Sequence, residues 1–153
     1  PAIIFYLAND HGMSIPEIDN MLNKKSGLLG ICGDNDLRDI EKRMGEGDAN
    51  AQLAFEMYCY RIKKYIGMYT AVLNHVDALV FTAGVGENSD LVRNQVCSGL
   101  ASLGYTLDSS KNSQGKQGKV TEIQAKGSLA KILIVPTNEE LEIALQTEAV
   151  LQA

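Results

Sequence analysis

Asp77-Ala-Leu-Val-Phe-Thr-Ala-Gly-Val-Gly-Glu-Asn-Ser89 begins as a short apolar run between turn-forming residues and ends on two glycines one residue apart. An apolar run of that length, without polar alternation, suits a strand covered on both faces inside a parallel sheet. Residues 91–103 then carry apolar side chains at helical spacing and stop at Gly104. The unit is strand, glycine turn, helix. A second unit of the same kind lies downstream: residues 131–135 predict a buried strand, Pro136-Thr-Asn138 ends it, and residues 139–150 predict a helix. Two such units predict an α/β domain whose sheet strands are covered by helices.

Between the two units, residues 105–107 suit a short strand. Residues 108–127, with glycines, serines, glutamines and four lysines, predict a solvated loop with a small strand near 120–123. Upstream, residues 49–76 form the longest helical pattern, with Tyr58, Ile62, Tyr65, Tyr69, Val72 and Val76 alternately four and three residues apart. Leu53, Phe55, Met57, Ile66, Met68 and Leu73 widen that surface, so the helix is expected to be central and covered on more than one side, by core or by a second subunit. Further upstream, Ser14-Ile-Pro-Glu17 is a capping box opening a helix to about residue 25. Residues 27–33, punctuated by glycine, predict a close backbone approach to a ligand or another strand. Asp34, Asn35 and Asp36 offer N-caps for a helix through Arg43, and residues 2–7 are apolar and ambiguous between helix and strand. No internal repeat or linker appears, and one domain is expected over 1–153.

Composition narrows the function. The 153 residues are 45% hydrophobic and 22% charged, ordinary for one globular domain with a real core. The net charge of −5 lacks the basic balance that attracts phosphate backbones or anionic lipid, which argues against nucleic acid and membrane partners. Cys32, Cys59 and Cys97 are odd in number, far apart and outside any CxxC, which argues against a disulfide framework or zinc site and for a reducing, cytoplasmic setting. The chain opens on Pro1 and passes directly into an apolar run, which reads as a cut piece of a longer polypeptide.

Ligands of open α/β sheets bind off the carboxyl ends of the strands, and both clear strands here end in unusual polar turns. Gly84 and Gly86 permit positive φ and leave room for a nucleotide on the main chain. The alternative is that they merely join strand to helix, with Asn88 or Ser89 as N-cap. A dinucleotide GxGxxG is a poor fit, since Ser89 stands where the third glycine belongs. After the second strand, Glu139 and Glu140 place carboxylates in a first helical turn, where they suit Mg²⁺ directly or through water. Equally, Thr137 with Glu140 makes a capping box, and acids there complement the helix dipole. Asp36 and Arg38 offer an acceptor for ribose hydroxyls and a plane for stacking on adenine, or else a cap and a solvated arginine. His11 and His75 lack companions at metal-ligand or triad spacing.

Together, Asp36-Leu-Arg38, Phe81-Thr-Ala-Gly-Val-Gly-Glu-Asn88 and Val135-Pro-Thr-Asn-Glu-Glu-Leu141 resemble, in order and spacing, the C-terminal half of the acetate kinase family. The resemblance covers nearly the whole chain. It implies a ribonuclease H-like, actin-like ATPase fold, shared with sugar kinases and Hsp70-type ATPases, and reversible phosphoryl transfer between ATP and the carboxylate of acetate or another short acid. By that resemblance Asp36, Leu37 and Arg38 line the adenine and ribose pocket. Gly84, Val85, Gly86, Glu87 and Asn88 hold adenosine and neighbouring phosphate, and Glu139 is the Mg²⁺-associated acid. The family's substrate-clamping arginines and catalytic residues fall before Pro1, so the resemblance assigns no catalytic residue here and implies that the chain alone is inactive. It also implies a homodimer. Propionate or butyrate kinase is the neighbouring alternative, and a noncatalytic nucleotide-binding module of the same superfamily is a further one.

Overall fold

The computed structural model describes residues 2–115 and 118–152; Pro1, Lys116, Gln117 and Ala153 lie outside that description. The chain divides into two compact units, one ending at Arg61 and the other beginning at Ile62.

The first unit is helical. Residues 2–7 resolve their ambiguity as α1 (Ala2–His11). Helix α2 (Ile15–Lys24) starts on the expected capping box: the Glu17 amide donates to Ser14 Oγ and the Ser14 amide donates to the Glu17 carboxylate. Residues 27–33 hold the short helix α3 (Leu28–Cys32), entered and left through Gly27 and Gly33 at positive φ. The close backbone approach there is local, since a Cβ on Gly30 would stand 3.0 Å from the Lys25 carbonyl oxygen. Helix α4 (Leu37–Gly45) buries Ile40. Arg43, near its end, donates to the Cys32 carbonyl at 2.9 Å and to Asp48 at 2.7 Å. Asp48 in turn accepts from the Asn50 and Ala51 amides and so caps α5 (Ala49–Leu73).

Helix α5 stops three residues before the predicted Val76. Asn74 takes φ 61°, the left-handed conformation in which asparagine commonly ends helices. Its buried face is Ala51, Ala54, Phe55 and Cys59, not the predicted stripe; Tyr65, Tyr69 and Val72 are exposed, and Tyr58 and Ile62 half-buried. The packed side combines Phe55, one of the large residues picked out from sequence, with the small residues Ala51, Ala54 and Cys59.

The second unit contains a three-stranded sheet in the order β1-β3-β2. Strands β1 (Ala78–Phe81) and β3 (Lys131–Ile134) are parallel, with Phe81 paired to Ile134, and β2 (Thr121–Glu122) runs antiparallel to β3. Strand β1 is thus an edge, and Val80 is 47% exposed, where the sequence predicts burial on both faces. The central strand β3 is better covered: Ile132 and Ile134 bury one face, while on the other Leu133 is half-buried and Lys131 exposed. Helix α6 (Ala83–Asn88) replaces the expected open turn, and α7 (Asp90–Cys97) follows immediately. Gly99, at φ 74°, breaks the helix predicted over 91–103, leaving a 3₁₀ turn at Ala101–Leu103. Residues 105–107 form no strand, only a bridge from Leu107 to Gln124.

The segment predicted as a solvated loop is partly structured. Asp108 caps α8 (Ser109–Gln114), Asn112 is buried, and Ile123 is fully buried. Helix α9 (Glu139–Leu151) ends the unit with every described side chain exposed. The architecture is mixed α/β, a small sheet covered by helices, as the sequence predicts.

Candidate functional site

Two strand ends and one helix start carry the predicted site residues. Because β1 and β3 are parallel and in register, the turns that follow them leave the sheet side by side, and the Val135 amide still bonds the Phe81 carbonyl at 2.9 Å. The β1 exit is sharp. Ala83 takes φ 58°, a left-handed conformation that L-residues with a Cβ rarely adopt and that concentrates at functional turns. Gly84 and Gly86, for which positive φ is expected from the sequence, do not adopt it. They serve in another way. A Cβ on Gly86 would lie 3.1 Å from the Phe81 carbonyl carbon, so this glycine lets α6 pack directly onto the strand. A Cβ on Gly84 would meet nothing within 4 Å, so this exposed backbone is open for a ligand to lie against.

Val85 is half-buried within α6, and Asn88 turns back on the same helix, its Nδ2 donating to the Gly84 carbonyl at 2.7 Å. The Glu87 side chain crosses to the other strand end. Its Oε1 accepts from the Thr137 amide at 2.9 Å and from the Thr137 hydroxyl at 3.0 Å. The predicted capping box between Thr137 and Glu140 is accordingly not used; Asn138 is the N-cap, accepting from the Leu141 amide. Glu139 and Glu140 stand exposed in the first turn of α9.

Arg93 supports this arrangement and was not legible as a site residue. It is 2% exposed, and its guanidinium donates to the Gly86 and Glu87 carbonyls at 2.8 and 2.9 Å and to Asn112 Oδ1 and O at 2.7 and 3.1 Å. Asn112 Nδ2 completes the set with a bond to the Asp90 carbonyl. Burial lowers the Arg93 pKa from the usual arginine value, with nearby Asp90 opposing the shift. A sequence signal existed: Arg93 falls on the buried stripe of α7 with Val92, Val96 and Cys97, where a charged residue requires partners.

In the first unit, Asp36 caps α4 by accepting from the Arg38 amide at 2.9 Å, and the Arg38 guanidinium folds onto the same carboxylate, with Nε 3.0 Å from Oδ1. Leu37 is half-buried beside them, while the Arg38 side chain is 89% exposed, its plane available for stacking. The Arg38 side-chain bond, followed by its amide, holds the Asp36 carboxyl down at about 2 from an ordinary 3.8. A carboxyl whose pKa falls on folding contributes stability that is complete above the unfolded value and is lost as pH drops through the folded one. Cap and ion pair are therefore expected to persist at pH 3. An NMR titration of the Asp36 side-chain carbon checks this, with a midpoint near 2 in the wild type and one shifted toward 3.8 in Arg38→Ala.

Among the described residues no three potential ligands group into a metal cage. Mg²⁺ does not require one, since it commonly keeps several waters and is held by one or two carboxylates plus substrate phosphates. An exposed Glu139 at the mouth of the sheet fits that donor set. No helix among the described residues is long and apolar enough to cross a membrane.

Residues 1–145 match the model of the acetokinase family. The chain is 55% identical over 147 residues to an acetate kinase of Syntrophobacter fumaroxidans, covering 96% of this chain and 36% of that protein. Among solved structures it is similar to the acetate kinase of Porphyromonas gingivalis, with TM-score 0.86 and 42% identity over 99% of this chain and 38% of that one. It is similar also to a propionate kinase from Francisella tularensis, with TM-score 0.85 and 44% identity over 94% of this chain and 36% of that one. The chain thus spans 36–38% of the length of curated acetate kinases that it matches. With the family model matching nearly from end to end and the strand-end turns in the predicted order, the chain belongs to the acetokinase family.

Proposed function

We propose that this chain forms the nucleotide-binding side of an ATP-dependent acyl kinase that reversibly phosphorylates acetate to acetyl phosphate. The observation that carries the reading is Gly84, an exposed backbone position with no atom within 4 Å of where a Cβ would stand, at the carboxyl end of a parallel strand. In this reading ATP or ADP lies along Gly84, Val85 and Gly86, with Asn88 closing the turn. Asp36, Leu37 and Arg38 are assigned to the adenine and ribose end. Glu139 would hold Mg²⁺ through one carboxylate and water. The cation neutralises phosphate charge during transfer, and this chain's residues contribute by orienting the nucleotide for in-line displacement.

The propionate kinase neighbour favours a second reading, in which the acceptor is a slightly longer acid and the nucleotide site is the same. Two further assignments belong with the proposal. The exposed Tyr65, Tyr69 and Val72 of α5 suit a homodimer contact, and three buried thiols suit a reducing cytoplasm.

Titration of the chain with ADP and Mg²⁺, followed through backbone amide shifts, tests the reading. Saturable shifts at Gly84, Gly86 and Arg38, weakened in Arg38→Ala, are expected, with no acetyl phosphate formed by this chain alone. A folded chain without shifts at millimolar ADP would refute the nucleotide assignment.

A further inference from the structure

We propose that Glu87 is a positioning residue: its carboxylate ties α6 to the turn that carries Glu139, and so sets the separation between the nucleotide-facing glycine and the metal-associated acid. The inference rests on the nucleotide reading above but departs from it at this side chain, which the resemblance assigns to nucleotide contact.

Four observations converge on it. One carboxylate oxygen of Glu87 takes both donors of Thr137, amide and hydroxyl, fifty residues away in sequence. The Thr137 hydroxyl is free for this because Asn138, not Thr137, caps α9. Glu87 is itself held from behind, since Arg93 donates to its carbonyl and to that of Gly86. Arg93 is anchored on Asn112, which also bonds the Asp90 carbonyl, so the base of the strut lies in the buried interior. The hydrogen-bonded chain runs from Asn112 through Arg93 and Glu87 to Thr137, and Glu139 follows two residues later. A carboxylate engaged in this way orients its neighbours, much as the groups behind metal ligands do.

The test separates a strut from a ligand by altering the far partner. Thr137→Val keeps the shape and removes the hydroxyl, while Thr137→Ser keeps both donors. A strut predicts that Thr137→Val weakens Mg²⁺-ADP binding about fivefold, that Thr137→Ser restores it, and that Glu87→Ala with Thr137→Val is no worse than Glu87→Ala alone. If Glu87 instead touches the nucleotide or cation directly, Glu87→Ala weakens binding while Thr137→Val leaves it unchanged, and the proposal falls. Hydrogen exchange supplies an arm independent of nucleotide. The Thr137 amide should exchange about tenfold faster or more in Glu87→Ala and stay protected in Glu87→Gln, whose amide oxygen still accepts. Should the wild type bind no ADP, the nucleotide reading fails while the exchange result still decides the strut: equal exchange in wild type and Glu87→Ala overturns it.

Discussion

Arg93→Ala is expected to destabilise the second unit by about 3 kcal/mol or more, seen as a lower urea midpoint with little change in slope. Arg93 is almost fully buried and satisfies the Gly86 and Glu87 carbonyls together with both oxygens of Asn112. Alanine would leave those acceptors without a donor in a site too enclosed to hydrate readily, and would open a cavity the size of the lost side chain. Such a loss is a large part of the roughly 5–15 kcal/mol that stabilises an ordinary domain. Arg93→Lys should recover only a fraction, because an ammonium carries its donors on one nitrogen and does not span acceptors on two helices as a planar guanidinium does. The C-terminal end of α6 should fray first in either variant, detectable as faster amide exchange around Ser89, whose amide bonds the Val85 carbonyl. A midpoint indistinguishable from wild type would mean that the carbonyls find other partners and that the network is dispensable.

The two glycines of α6 should respond in opposite ways to the same change. For Gly86→Ala the new methyl meets the Phe81 backbone at 3.1 and 3.4 Å, and backbone in a paired strand has little room to yield. A loss of about 1–3 kcal/mol is expected, as for overpacking elsewhere. For Gly84→Ala nothing stands within 4 Å and the backbone is not left-handed, so the fold should be unharmed or stabilised by up to about 1 kcal/mol through helix propensity. That methyl nevertheless occupies the surface assigned to the nucleotide, and ADP affinity should fall about tenfold or more, equivalent to about 1.4 kcal/mol. Thermal melts and calorimetric ADP titrations on the two variants check this: one should lose stability, the other binding. Unchanged ADP affinity in Gly84→Ala would remove the glycine from the site.

Elements with local punctuation were legible from sequence. The capping box at Ser14, the cap at Asp36 and the uninterrupted apolar run of β3 each encode their own structure within a few residues, and the structure keeps them. What depended on distant partners was not. A periodicity reading of α5 favours the large apolar stripe from Tyr58 to Val72, whereas packing covers Ala51, Ala54, Phe55 and Cys59 nearer the start of the helix. Helix α8 was hidden by its polar composition, although Asp108 followed by Ser109 and Ser110 is a cap signature. At the site, the strand-turn-helix order was readable, but Glu87 reaching Thr137 and Arg93 reaching Asn112 are pairings across fifty and nineteen residues. No local pattern specifies such contacts; only the parallel register of β1 and β3 brings the first pair together.

The buried thiols are internal reporters of opening. Cys32 and Cys59 belong to the unit ending at Arg61, Cys97 to the one beginning at Ile62, and all three are buried. Burial pushes the Cys97 thiol up to about 12, so at neutral pH it offers almost no thiolate to a reagent while the unit is closed. Alkylation at Cys97 should then advance only through opening of its surroundings, tracking the open population unless the reagent outpaces reclosing. The sequence thereby carries, without any engineered label, reporters of opening at three buried positions.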